Sequence, residues 1–132
     1  MARLVGWRGR RGIAAVEAAI FIPLLILIVL GLIEYGWLFL RLQCVNNAAR
    51  EGVRVAVRHN ATPIQVTNAI SAVMNGCGMA TYTTPMLPDV NAVVGDQITC
   101  KVQVVYDSIA DYTLLPVPPV LMGTATMMKE AP

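Results

Sequence analysis

Charge is scarce in this chain. Only 14% of its 132 residues are Asp, Glu, Lys or Arg, and none falls between Glu17 and Glu34. That balance excludes the charge-rich composition of a disordered chain. Histidine occurs once, as His59, and cysteine three times, as Cys44, Cys77 and Cys100, with no Cys-x-x-Cys pair. A Cys/His zinc site lacks its ligands, so no metal and no cofactor is expected. No serine stands in a Gly-x-Ser-x-Gly elbow and no glycine-rich loop is shaped to cradle phosphate. His59 sits where a helix pattern ends, and Asp107 with Asp111 reads as an ordinary polar loop. No catalytic residue is therefore expected, and the chain is read as no enzyme but a substrate of enzymes.

What remains is apolar. Hydrophobic residues make up 56% of the chain, and residues 13–40 form one run interrupted only by Glu17 and Glu34. At 1.5 Å per helical residue, Ile13 to Ile33 spans about 31 Å, the thickness of a bilayer core. Glu34, Tyr35, Trp37 and Arg41 mark the far interface, with the aromatics at headgroup level. Arg3, Arg8, Arg10 and Arg11 precede the run, with Trp7 among them. This asymmetry predicts a cytoplasmic N-terminus and a periplasmic C-terminus for a single-pass inner-membrane protein. Beyond residue 12, six basic side chains face eight acidic ones, a net side-chain charge of −2. The basicity belongs to a topogenic leader over residues 1–12, and no nucleic-acid surface is expected. A secretory signal would be shorter and would end at a small-x-small cleavage site.

Glu17 stands inside the start of the span. A charge at that depth costs on the order of 2.5–3.5 kcal/mol, so it is retained for a partner and a task. Pro23 removes one helical hydrogen bond and crowds the carbonyl of Ala19, marking a kink or a weak point. Gly31 and Gly36 would let neighbouring helices approach.

The helix is expected to continue to about Arg58. Leu42, Val45, Ala49, Val53 and Ala56 form an apolar stripe, and Gln43, Asn47, Arg50, Arg54 and Arg58 a polar one. This amphipathic extension over residues 41–59 needs something to pack against, which residues 60–132 would provide as a small α+β domain. Thr62-Pro63-Ile64-Gln65 carries a helix cap, a first-turn proline and a capping-box glutamine. Ile64, Ala69, Ile70 and Val73 are the expected buried face of this second short helix, and Asn75-Gly76 its end. Residues 80–83 form a short strand candidate. Ile98, Cys100, Val102, Val104 and Tyr106 alternate with partners of mixed polarity, a two-residue period. Residues 115–119 hold three prolines and cannot form a central strand. Thr124 to Lys129 reads as a final edge strand, completing a small antiparallel sheet. Cys77 and Cys100 both lie in this part and are the candidate disulfide if it faces an oxidising compartment, with Cys44 left free.

The ensemble resembles the TadE-like family of minor pilins of the tight-adherence (Flp) pilus, a branch of type IV-like machinery. The residues that carry the resemblance are Arg11-Gly12-Ile13-Ala14-Ala15-Val16-Glu17-Ala18-Ala19, Ile22-Pro23-Leu24-Leu25, Gly31-Leu32-Ile33-Glu34-Tyr35-Gly36, and Asn46-Asn47-Ala48-Ala49-Arg50-Glu51-Gly52-Val53-Arg54. In such prepilins a glycine precedes the cut and a glutamate becomes the fifth mature residue. Of Gly6, Gly9 and Gly12, only Gly12 has a glutamate five positions later. Major Flp pilins carry an aromatic residue straight after that glutamate. Ala18 departs from this and points to a minor subunit.

The resemblance implies a course of events. A prepilin peptidase cuts between Gly12 and Ile13, and the new amine of Ile13 neutralises a Glu17 carboxylate, its own or a neighbour's. The implied partners are the major Flp pilin, other minor pilins, a membrane assembly platform with its cytoplasmic ATPase, and the lipid bilayer. The subunit would prime, cap or stud an extracellular pilus for surface attachment. Two other readings stay open: an uncleaved single-pass membrane scaffold or sensor, and a pseudopilin of a secretion system.

Overall fold

A computed structural model describes residues 8–109 and 116–131. The expected leader residues 1–7, with Arg3, Gly6 and Trp7, lie outside the described residues, as does Asp111. The fold is α+β. Two helices, α1 (Arg8–Ala56) and α2 (Pro63–Gly76), precede three strands, β1 (Thr83–Met86), β2 (Gln97–Val105) and β3 (Val120–Met128). The chain divides into two compact units between Tyr35 and Gly36.

The first unit consists, among the described residues, of α1 up to Tyr35. The chain is already helical at Arg8, the first described residue and five residues before the expected start, so Gly12 lies inside the helix. Apolarity sets where a membrane span begins but not where a helix begins. Pro23 sits within the helix without ending it. From Gly12 to Ile33 every side chain is exposed apart from half-buried Gly31. The most apolar 18-residue stretch reaches a mean hydropathy of 2.8, with none of it buried. A helix that is apolar on every side and uncovered by its own chain suits a lipid surround.

The second unit begins at Gly36 and holds the core. The three strands form one antiparallel sheet in the order β1-β2-β3. α1 buries Leu38, Val45, Ala48, Ala49, Val53 and Ala56, while Gln43, Asn47, Arg50, Arg54 and Arg58 stay exposed. This is the expected division into two stripes, with Leu42 half-buried. The cap of α2 forms as anticipated. Gln65 donates its backbone N–H to the Thr62 hydroxyl, and the Gln65 side-chain oxygen accepts from the Thr62 N–H.

The buried face of α2 differs from expectation. It is Val66, Ile70 and Met74, an uninterrupted four-residue series, with Ala69 and Val73 half-buried and Ile64 72% exposed. Ile64 precedes Val66 by two residues, roughly 200° around the helix, so one of the two must face outward. In β2 the alternation holds throughout: Ile98, Cys100, Val102 and Val104 point inward, followed by Tyr106. On the opposite face the hydroxyls of Thr99 and Thr126 meet across the strands at 2.9 Å.

Two strand boundaries also differ. β1 lies three residues later than the 80–83 candidate and runs across Pro85, which a short edge strand tolerates. β3 starts at Val120, four residues before the expected start. Its inward positions are Leu121, Gly123 and Ala125, and a glycine in the middle hides the apolar period.

Gly123 marks where the helix backbone lies against the sheet. A Cβ placed there would sit 2.5 Å from the Val45 carbonyl oxygen and 2.8 Å from the Asn46 nitrogen. The far end of α1 is held by a side chain distant in sequence. Lys129 Nζ donates to the carbonyls of Ala56 at 2.8 Å, Arg58 at 3.1 Å and Val90 at 3.0 Å. Asn60 then turns the chain in the left-handed region, at φ 57°. A cation on the last carbonyls of a helix satisfies orphan acceptors and complements the helix dipole. Lys129→Met keeps the stem and removes all three bonds. We expect it to destabilise this unit by about 2–3 kcal/mol, read as a lower melting temperature, since hydrogen bonds to a charged group contribute about 1.5–3 kcal/mol.

Candidate functional site

The Gly12–Glu17 segment is the first turn and a half of the apolar stretch on α1. Ile13 and Glu17 are four residues apart and so share a face. Helical Cα–Cβ bonds tilt toward the N-terminus, so a Glu17 side chain can reach back toward the turn holding Ile13. Ile13 is 64% exposed, and Glu17 is exposed as well. Among the described residues no hydrogen bond or ion pair reaches the Glu17 carboxylate. A Cβ added at Gly12 would meet nothing within 4 Å. Packing among the described residues therefore does not require glycine there. Its effect is on the backbone, since glycine weakens a helix by about 1 kcal/mol relative to alanine and makes local unwinding cheaper.

The disulfide differs from the expected Cys77–Cys100 pair. Cys77 bonds to Cys44, and Cys100 is the free, buried thiol. Cys77 is the C-terminal cap of α2, so the end of α2 returns to α1 at Cys44. Cys100 occupies an inward position of β2, beneath Gly52, where a Cβ on that glycine would lie 3.2 Å from the Cys100 sulfur. Burial pushes the Cys100 thiol up to about 11, which leaves it an inert core residue. The 44–77 bond closes a loop of 33 residues. Loop-closure entropy for that length is about 3–4 kcal/mol. Reduction, or Cys44→Ala with Cys77→Ala, should lower the melting temperature accordingly. An unchanged melt after reduction would show that the bond does not constrain the unfolded chain.

The exposed face of α1 carries little internal pairing. Arg54 grips Glu51 with two bonds of 2.7 and 2.8 Å. That hydrogen-bonded guanidinium holds the Glu51 carboxyl below its usual range. Arg41 stacks over Trp37 with its guanidinium 5.0 Å from the ring, near the junction of the apolar run with the packed unit. Glu34 is 2% exposed. Among the described residues no group of three His, Cys, Asp or Glu is gathered for a metal ion.

Ile13, Glu17 and Pro23 lie on one helix as the sequence predicts, and Gly12, expected in the leader, lies on it too; two ties were not anticipated, Cys44–Cys77 and Lys129 with the α1 carbonyls. Cys44 carried a signal. It stands four residues before Ala48 on the apolar side of the helix, where a half-buried position is expected.

Residues 12–54, about a third of the chain, match the family model described as TadE-like protein. No curated protein matches the chain, and no solved structure does. The match opens on Gly12, where the apolar span opens, and closes within the packed half of α1.

Proposed function

We propose, from the premise that this is a TadE-like, membrane-associated protein of the tight-adherence pilus system, that it is a minor pilin cut after Gly12 and assembled into, or priming or capping, the pilus. The observation that carries this reading is a coincidence at one point. The arginine cluster ends, the family match begins, the apolar span begins, and a carboxylate follows five residues on. Cleavage turns the Ile13 amide into an amine at the new helix N-terminus. That terminus already favours a negative charge. Glu17 can reach toward it and has no partner among the described residues, so an amine, its own or a neighbour's, satisfies a charge that lipid would penalise. Each incoming subunit then takes its axial register from a charge that must meet an amine.

Two independent signals support the topology. Four arginines precede the span, which favours a cytoplasmic N-terminus. The Cys44–Cys77 bond favours an oxidising compartment for the second unit, hence a periplasmic and later extracellular position. Extraction from the membrane would draw on a cytoplasmic ATPase through an assembly platform. The subunit acts as a peptidase substrate and a building block rather than a catalyst. Its packed unit is the part presented for contact.

One observation favours the rival, an uncleaved single-pass scaffold. α1 runs unbroken across the Gly12–Ile13 bond, whereas a peptidase needs its scissile bond out of the helix. Gly12 lowers the cost of that unwinding. Mass spectrometry of the mature N-terminus decides the matter. A chain starting at Ile13 is expected; a chain starting at Met1 in cells with an active prepilin peptidase overturns the pilin reading.

A further inference from the structure

The two edges of the sheet are built differently. β1 has four residues, contains Pro85, and meets β2 with an irregular register between Thr83 and Met86. Short length, proline and irregularity are the usual protections of an edge against strand addition. β3 has none of them. It is nine residues long, keeps a regular register with β2 from Val120 to Met128, and contains neither a charge nor a proline.

Its free backbone groups can be assigned. Tyr106 N–H donates to the Pro119 carbonyl, and Lys129 N–H to the Asp96 carbonyl. Both pairs fall on the β2–β3 register, so the odd-numbered residues of β3 bond to β2. The N–H and C=O groups of Val120, Met122, Thr124, Thr126 and Met128 therefore point away from the sheet. Among the described residues no backbone group pairs with them. Their side chains are exposed too, Met122 at 51% and Met128 at 63%.

We infer that the outer edge of β3 is a strand-addition site that takes an extended, uncharged segment of a different polypeptide. A row of alternating donors and acceptors at strand spacing is matched in full only by another extended backbone. The Thr and Met side chains flanking it offer no charge for an incoming segment to pair with, so an uncharged segment fits. A second copy of this chain does not fit. Self-pairing of β3 requires a two-fold axis perpendicular to the sheet, which would run the α1 segments from Gly36 in opposite directions. Copies that share one polarity along a pilus, as the proposed function has them, cannot do that. Pairing with the β1 edge of another copy meets Pro85 and the irregular register.

The test uses the full chain in detergent micelles and a synthetic nonapeptide of alternating Thr and Val, N-methylated at every second residue so that it pairs along one edge only. Hydrogen exchange of residues 120–128 is followed by mass spectrometry. Saturating peptide should slow exchange in this segment at least tenfold. Thr124→Pro removes one outward N–H and leaves the β2–β3 bonds intact, a proline position that edge strands accept. It should abolish the slowing while the Cys44–Cys77 bond and the melting temperature persist, and Met122→Pro should do the same. Unchanged exchange in the wild-type chain at saturating peptide overturns the inference, because water is then sufficient for the edge. Slowing that survives both proline variants overturns it as well. So does protection that appears without peptide and grows with protein concentration, since a second copy would then be the occupant.

Discussion

Gly123→Ala should lower the melting temperature of the second unit by about 10–25 °C. The added Cβ lies 2.5 Å from the Val45 carbonyl oxygen and 2.6 Å from its carbon. These are backbone atoms in the middle of α1, so no rotamer change relieves the clash. The helix must lift from β3, or β3 must bend, and the core between them opens. Overpacking of this kind costs about 1–3 kcal/mol and more where backbone must move. At about 4–8 °C per kcal/mol for a unit of this size, the loss is large. Gly52→Ala is the control. Its Cβ would meet the Ile70 side-chain carbons at 2.9 Å and the Cys100 sulfur at 3.2 Å. These are side-chain atoms, which give way more readily than backbone, so a smaller drop is expected. Thermal melts of the two variants with the disulfide intact check the order; equal melts for Gly123→Ala and the wild-type chain would refute the close approach of α1 to β3.

If the chain is cut and assembled as proposed, Glu17→Ala should leave insertion and cleavage normal and reduce incorporation into pili by at least tenfold. The substitution makes the span more apolar, so insertion is favoured if anything. On that reading the bond to be cut follows Gly12, five residues upstream, and keeps its glycine. What disappears is the proposed partner of an amine inside a low-dielectric bundle. Leaving such an amine unpaired costs several kcal/mol, and each 1.4 kcal/mol is a factor of ten. Glu17→Gln should fail similarly, because it keeps the shape and removes the charge. The readout is the ratio of subunit in sheared pili to subunit in the membrane fraction. Wild-type levels of the alanine variant in pili would remove the pairing role while leaving the cleavage result to stand by itself.

How far the residues alone lead depends on where the deciding contact lies. The period of β2 is legible because every inward position from Ile98 to Val104 carries an apolar side chain. The first half of β3 is not, because Gly123 faces inward and Met122 outward, which inverts the size pattern. The cap of α2 is legible because Thr62 and Gln65 settle it within four residues. The buried face of α2 is not, because its neighbours choose between Ile64 and Val66. Cysteine pairing is the clearest case. Position in the chain grouped Cys77 with Cys100, but the end of α2 comes back to α1, and β2 uses Cys100 as core. The candidate site is a local pattern, a glycine and then a carboxylate in an apolar run; the structure adds that Glu17 is exposed and, among the described residues, meets no hydrogen-bonding or ionic partner.

The ammonium of Lys129 rests on carbonyls 73 and 71 residues earlier in the chain. A chain made from its N-terminus onward therefore completes the end of α1 only when its last strand has appeared. Cys44 and Cys77 are both made before β2 begins, so their bond can form while the apolar side of α1 is still uncovered. Late loss of the final residues would thus be more damaging than their exposed position suggests. A nascent chain stopped before Gln97 would hold its two helices joined by sulfur, with the apolar side of α1 still awaiting β2 and β3.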